Sequence, residues 1–528
     1  MHIILKKVIK KLIIFRNLSL ISIIPLIFLS LLNILAVESP KNNAETDNIK
    51  SAREKITSEI KTIFDNQIFY NAFVGIRIEK LNGDIICDLN GHKNFIPASN
   101  MKIYTTASAA DLLGPDFQYE TQLLAPGEIS KGKLNGNLLI IGSGDPSLGS
   151  WHIPEGNDSS ILFHSWVEKI KARGINEITG DIIGDGRVFT NEYYCGDWDF
   201  EDLPYWYAAG TSGLVVEENC FRFITAPGKN VGDKALITLI PDTKYVTVVN
   251  NTETVASGGQ RTADIVFRGT DQNIVHFAGT IPIDEQPFQQ RGSVWDGVLY
   301  TAFLFKEALE KEGIKIKGNA INIRSLKDLS AIDNCPSNKQ ILIDLHKSSP
   351  LSELIKIVNK QSHNFFADQI LRTIGSKIKN DGSYKGGSNA VREWLKKIGV
   401  PQTEAFLMFD GSGLARRNSI QPQQTCSLLR YVYNKESVRK AFYDSLAIAG
   451  VNGDLSYRMK ESPLKGNLRA KTGLIGQVRS FSGYVQDADG EMLVFSFMIN
   501  QMFIDYTEVD KFIDLACVLL GNYSEKSK

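Results

Sequence analysis

The sequence is poor in the signatures that usually announce an enzyme. It has no His-Glu-x-x-His, so a zinc-protease reading has no support. It has no Gly-x-x-x-x-Gly-Lys-Ser/Thr phosphate loop and no Gly-x-Ser-x-Gly nucleophile elbow. Six cysteines (87, 195, 220, 335, 426 and 517) lie far apart with no Cys-x-x-Cys, which excludes zinc knuckles and thioredoxin-like redox sites. No metal or cofactor is implied. Net charge is also missing: 59 basic residues balance 59 acidic ones, with no long basic run. Nucleic acid is therefore not the main partner, because phosphate binding needs clustered Lys and Arg. No fixed-period repeat occurs. At 43% hydrophobic and 22% charged, the 528 residues have globular composition and enough length for several domains.

The zero net charge hides an asymmetry. Residues 1–36 carry Lys6, Lys7, Lys10, Lys11 and Arg16 and no acid; setting those five aside leaves 54 basic against 59 acidic residues, or −5. The basic stretch precedes an apolar run over 18–37, the order of a secretory signal. Its length also suits a retained anchor, with possible membrane association through this segment. Either reading places the body in the periplasm or cell envelope. Export would permit disulfides, and Cys195 with Cys220 is the one pair close enough to consider; isolated buried thiols are the alternative.

Residues 38–52 are polar and read as a linker. A hairpin follows, with strands at 72–80 and 84–89 around Asn82-Gly83. A helix runs from about Ser99 to Leu113 and stops at Gly114-Pro115. The stretch 119–346 is rich in short strands, at 137–141, 180–183, 222–224, 235–240, 245–250, 264–268 and 274–277, with one helix at 295–312. Beyond it, helices are expected at 351–375, 385–398 and 423–433, then strands at 469–472, 478–485 and 492–500. The organisation predicted is 1–37 targeting segment, 38–52 linker, 53–118 and 347–528 two parts of one domain, and 119–346 a β-rich insertion of one or two small domains.

Three elements occur in a telling order: Ser99-Asn100-Met101-Lys102 at a helix start, Ser362-His363-Asn364 in a helix or its connection, and Lys471-Thr472-Gly473 at a strand. This is the Ser-x-x-Lys, Ser-x-Asn, Lys-Thr-Gly set of serine acyl-transfer enzymes. Ser-x-x-Lys recurs at Ser58, Ser130, Ser376, Ser437 and Ser462, but only the copy at Ser99 follows a hairpin and opens a helix. The spacing makes chemical sense. Residues three apart share a helix face, so Lys102 can reach the Ser99 hydroxyl. Serine needs a base, and lysine serves if burial and a neighbouring cation such as Lys471 keep it neutral. Helix-start N–H groups suit an oxyanion.

At these residues the chain resembles the serine D-alanyl-D-alanine carboxypeptidase/endopeptidases of the penicillin-binding protein 4 type, over roughly residues 55–520. Gly142-Ser-Gly-Asp-Pro-Ser-Leu148, Gly180-Asp-Ile-Ile-Gly-Asp185, the segment Asn359 to Asp368, Asp410-Gly-Ser-Gly-Leu414 with Arg417, and Ser445-Leu-Ala-Ile-Ala-Gly450 are similar to that family's segments. The resemblance implies an α+β, β-lactamase-like catalytic domain, an antiparallel sheet flanked by helices, interrupted by the insertion. It implies peptidoglycan stem peptides as substrates and β-lactam antibiotics as covalent inhibitors. By position, Ser99 is the nucleophile, Lys102 its base, Ser362 with Lys471 the proton relay, Asn364 a substrate-amide ligand and Thr472 a carboxylate ligand. Ser99 and Leu474 supply oxyanion N–H groups, and Gly473 belongs to the same oxyanion and substrate-binding segment. Asp202, in Trp198-Asp-Phe-Glu-Asp-Leu203, takes the stem peptide's ammonium.

One departure stands out. Leu474 follows Lys-Thr-Gly where the family has Ser or Thr, removing a hydroxyl that would bind a carboxylate. Asp368 replaces a Glu. Two alternatives are a β-lactamase or esterase on the same fold and a non-catalytic peptidoglycan-binding relative.

Overall fold

The computed structural model describes residues 40–153, 159–329 and 340–526. They fall into two units, Ile56–Tyr523 and a small one that holds the described residues before Ile56 and after Tyr523. Within the described part of the small unit, Arg53 Nε meets Glu525 Oε1 at 2.7 Å. The polar segment 38–52 is a correction. From Pro40 onward it is helical, in the helix Pro40–Phe64. Ala44, Glu45, Lys50 and Ala52 are strong helix formers and Pro40 suits a first turn, so the polar composition there is compatible with a helix. No helix among the described residues is long and apolar enough to cross a membrane. The run 18–37, on which the signal-or-anchor expectation rests, lies outside them.

The main unit is built on a six-stranded antiparallel sheet. Its order is Ala447–Ile448, Arg469–Ile475, Val478–Gln486, Met492–Asn500, Phe73–Lys80 and Ile85–Leu89. The first hairpin of the chain thus completes a sheet begun near its end, with Phe73 opposite Asn500 and Lys80 opposite Leu493. The central strand Met492–Asn500 is apolar on both faces, as burial from both sides requires. Val494 and Met498 enter the helical core, while Phe497 on the alternate face stacks on Phe64 at 5.9 Å.

The helix Met101–Leu112 lies inside that core. Every residue from Met101 to Ala110 is buried, including Lys102, Thr105, Thr106 and Ser108. Buried hydroxyls must be bonded. Thr106 and Ser108 donate to carbonyls one turn back, and Thr105 donates to the Gly411 carbonyl. Asn359 donates to both Thr106 Oγ1 (3.1 Å) and Ser445 Oγ (2.7 Å), which joins two of the similar segments to this helix.

The helix expected at 351–375 is two helices, Leu351–Lys360 and Asn364–Lys379. The break is Ser362, at φ +55°. A left-handed residue cannot continue a right-handed helix, and a non-glycine residue holds that conformation only where its surroundings over-determine it.

Residues 120–347 form three sheets of their own. The largest has eight strands and centres on Glu120–Ser130, which pairs with Lys133–Gly136, Leu138–Ile141 and Gln340–Lys347. Two three-stranded sheets follow, one around Cys220–Ala226 and one around Ile274–Pro282. The helix Ser159–Ala172 was not among the expected elements. Its spacing of Leu162, Phe163, Trp166, Val167 and Ile170 is helical, and Trp166 packs edge-on to Phe305 at 5.2 Å. Cys195 and Cys220 are both buried free thiols, so their pairing does not form. Cys335 lies outside the described residues.

Arg372, on the helix Asn364–Lys379, ties these regions together. Its buried guanidinium donates to the carbonyls of Gly382, Glu192, Thr211 and Thr190. Arg372→Ala leaves those buried carbonyls unsatisfied, and we expect a loss of about 3 kcal/mol in urea unfolding. A loss below about 1 kcal/mol contradicts this account.

Candidate active site

Ser99 sits in the 3₁₀ turn Ala98–Asn100 that leads into the helix Met101–Leu112. Ala98 before it has φ +47°, a strained conformation of the kind found where side-chain aim matters. One turn later Lys102 is fully buried, and its Nζ donates three bonds: to Ser99 Oγ at 2.9 Å, Asn364 Oδ1 at 2.7 Å and the Ser412 carbonyl at 2.6 Å. Three acceptors saturate an ammonium, and one of them is the hydroxyl to be activated.

The Ser412 carbonyl is itself held in place. Asp410 accepts from the N–H groups of Gly413 (2.8 Å) and Ala415 (2.7 Å), from Asn418 Nδ2 (2.7 Å) and from Trp198 Nε1 (2.8 Å). Asp368 accepts from the N–H groups of Gly411 (2.6 Å) and Ser412 (3.2 Å). Burial, and then the Asp410 charge, push the Asp368 carboxyl well above its ordinary range. Its Oδ2 is buried without a hydrogen-bond partner among the described residues, as fits a neutral acid. Gly413 at φ +88° passes so close to Ala98 that a Cβ would lie 1.8 Å from that carbonyl.

Ser362, in the break between two helices, presents its hydroxyl to Lys471 Nζ at 2.9 Å. Asn364 is oriented by two bonds, accepting from Lys102 and donating from Nδ2 to the Tyr207 carbonyl at 2.8 Å. His363 between them caps the helix through Nδ1 and reaches Glu218 Oε2 with Nε2 at 2.8 Å. Glu218 lies in a run, Glu217 to Asn219, whose three residues all have φ between +52° and +56°. His152, Glu218 and His363 together have the composition of a cation site. However, Nδ1 of His363 accepts an N–H from Phe366, so Nε2 carries the proton given to Glu218 and is not a free ligand atom.

The strand Arg469–Ile475 closes the site. Asn100 Nδ2 donates to the Lys471 carbonyl at 3.1 Å, pinning strand to serine turn. Gly473 is required at the contact: a Cβ there would lie 3.0 Å from Ser99 N and 2.8 Å from the Pro97 carbonyl. Lys471 Nζ also donates to the Thr472 carbonyl at 2.8 Å and lies 3.6 Å from Asp454 Oδ2. Thr472 Oγ1 donates to that same Asp454 oxygen at 3.0 Å. Leu474 is 44% exposed.

The electrostatics suit a lysine base. Burial, and then the Lys471 cation, push the Lys102 ammonium down to about 7. Burial also lowers Lys471, to about 8, with Asp454 opposing and Arg479 assisting.

A hydroxyl paired to a buried lysine, a second serine–lysine pair and an asparagine from three distant chain segments are the arrangement of serine acyl transfer. The sequence pattern of the D-Ala-D-Ala carboxypeptidase 3 (S13) family matches residues 57–519. The chain belongs to that family. Among similar S13-type proteins are a D-alanyl-D-alanine carboxypeptidase of Actinomadura sp. (strain R39), 28% identical over 84% of this chain and 81% of the relative, and the D-alanyl-D-alanine carboxypeptidase DacB of Haemophilus influenzae, 29% identical over 81% and 85%. The crystal structure of penicillin binding protein 4 (dacB) from H. influenzae superposes with a TM-score of 0.76 at 26% identity, covering 88% of this chain and 99% of that one.

Of the residues singled out in this S13 chain by sequence, Ser99, Lys102 and Asn364 form one hydrogen-bonded group and Ser362 with Lys471 a second, which Asn100 ties to the serine turn through the Lys471 carbonyl, and Gly473 approaches Ser99. Asp202 stands further off, accepting from Tyr207 Oη at 2.8 Å, and joins the cluster only through the Tyr207 backbone. Sequence reasoning gave no role to Asp410, Ser412, Glu218 or Asp454. The Asp-Gly-Ser-Gly segment is a signal for the first two; nothing in the sequence flags the others. Gly473→Ala is expected to push the strand away from the Ser99 N–H and lower the acylation rate about 10²–10³-fold, as loss of an oxyanion donor does. Stopped-flow acylation is the measurement, and a near-wild-type rate contradicts the close approach as a requirement.

Proposed function

We propose that this S13 chain is a penicillin-sensitive serine DD-peptidase of the cell envelope. It hydrolyses D-alanyl-D-amino acid bonds in peptidoglycan stem peptides through an acyl-enzyme on Ser99. The observation that carries the assignment is Lys102 Nζ at 2.9 Å from Ser99 Oγ, where burial and the Lys471 cation lower the ammonium to about 7.

In this mechanism Lys102 takes the Ser99 proton as Oγ attacks the carbonyl carbon. The N–H groups of Ser99 and Leu474 hold the developing oxyanion. Ser362, poised by Lys471, passes a proton to the leaving amine, and water then releases the acyl group by the reverse relay. Asn364 orients the substrate amide, and Asp202 receives the ammonium of the stem peptide. β-Lactams acylate Ser99 by the same attack; a solved relative is complexed with a β-lactam. Residues 119–346 serve as an insertion in the split domain 53–118 and 347–528. Residues 1–37 serve in export.

Fluorescent penicillin and peptide mapping test this. The label is expected on the peptide containing Ser99. Folded protein that takes no label and cleaves neither a pentapeptide nor a cross-linked dimer overturns the assignment.

A further inference from the structure

We infer that Asp454 is a specificity-determining residue that turns the leaving-group side of this site against a free carboxylate. The inference rests on the serine-peptidase reading above. A leaving amino acid with an ionised α-carboxyl needs an unpaired cation or free hydroxyl donors next to the scissile amide. The strand Arg469–Ile475 is the wall where these would be found, and its donors are already engaged.

Thr472 Oγ1 gives its proton to Asp454 Oδ2 at 3.0 Å. Lys471 Nζ spends its donors on Ser362 Oγ and the Thr472 carbonyl, with Asp454 Oδ2 3.6 Å away as its counter-charge. Arg479, on the neighbouring strand, is held bidentate by Asp510 at 2.7 and 2.6 Å and donates its remaining arm to the Gly473 carbonyl at 3.3 Å. Leu474, at the exposed end of the wall, offers only methyl groups. The Asp454 carboxylate, whose side chain is 34% exposed, therefore takes up both the Lys471 charge and the Thr472 proton that a substrate carboxylate would need. An incoming carboxylate meets a like charge there, whereas a carboxamide can donate an N–H to Asp454. Like charges across a contact discriminate between partners more strongly than they bind. The leaving groups selected are therefore amino acids whose carboxyl is amidated, or cross-bridge amines that carry no carboxyl beside the scissile bond.

Three substrates sharing one acyl-D-alanyl group test this with the full chain: the D-alanine acid, the D-alaninamide and a methyl ester with no leaving carboxyl. Wild type is expected to show kcat/KM for the D-alaninamide at least about tenfold above the acid. Asp454→Asn, which keeps shape and removes charge, and Asp454→Thr are each expected to cut that ratio about tenfold or more through faster cleavage of the acid. If wild type cleaves the acid as well as the amide, or if both variants keep the ratio, the inference is wrong. Turnover of the methyl ester in that case leaves the serine-peptidase reading standing. Failure to turn over the ester sinks that reading, and the inference falls with it.

Discussion

A Ser99→Ala chain is expected to take no covalent penicillin label and to lose stem-peptide hydrolysis by about 10⁴-fold or more. Loss of a nucleophile costs that much because no other group on the path can form the acyl bond. The fold should persist. Ser99 is only partly buried, alanine suits the turn, and the Asn100 bond to the Lys471 carbonyl and the Lys102 bonds to Asn364 and Ser412 do not use its hydroxyl. Circular dichroism should therefore match wild type while labelling vanishes. A Ser99→Ala chain that labels like wild type places the nucleophile elsewhere.

Lys102→Ala is expected to lower acylation about 10³-fold, the scale of a positioned general base. Its pH signature distinguishes a base from a packing residue. A lysine held down to about 7 becomes the free amine as pH rises through that value, so kcat/KM should climb across pH 7. Lys471 is held down to about 8, and its cation, which poises Ser362, is lost as pH rises further. The profile should be a narrow bell between about 7 and 8, its limbs belonging to the coupled pair. Lys471 is, after burial, the next cause of the depressed Lys102 value. Lys471→Ala should therefore move the acid limb to higher pH as well as lower the rate. An acid limb that stays put in that variant removes Lys102 from the role of base.

The opening hairpin, the helix after Ser99 and the three closing strands were legible because each carries its own period and turn residues. The hairpin's Asn82-Gly83 and the short apolar run Met492–Asn500 after the Asp489-Gly490 turn are local signals. The described part of the linker expected at 38–52 and the helix expected over 351–375 were misread for opposite reasons. In the first, good helix formers were discounted for their polarity. In the second, apolar spacing continued through a residue whose backbone turns left-handed, and φ leaves no mark on composition.

The five motif residues at the heart of the site could be named because their chemistry demands fixed types at short spacing: a lysine three residues after a serine, an asparagine two after another. What the sequence by itself determined is that local grammar, together with the order in which the motifs appear. Only the tertiary structure decided which partners complete them. Asp368 holds the loop that presents the Ser412 carbonyl to Lys102 from 44 positions away, Glu218 reaches His363 across 145 positions, and Asp454 stands between Lys471 and Thr472. These are long-range contacts between single side chains. A buried charge or hydroxyl must find a partner, but it takes one from whatever segment the fold brings near, and sequence spacing carries no record of that choice.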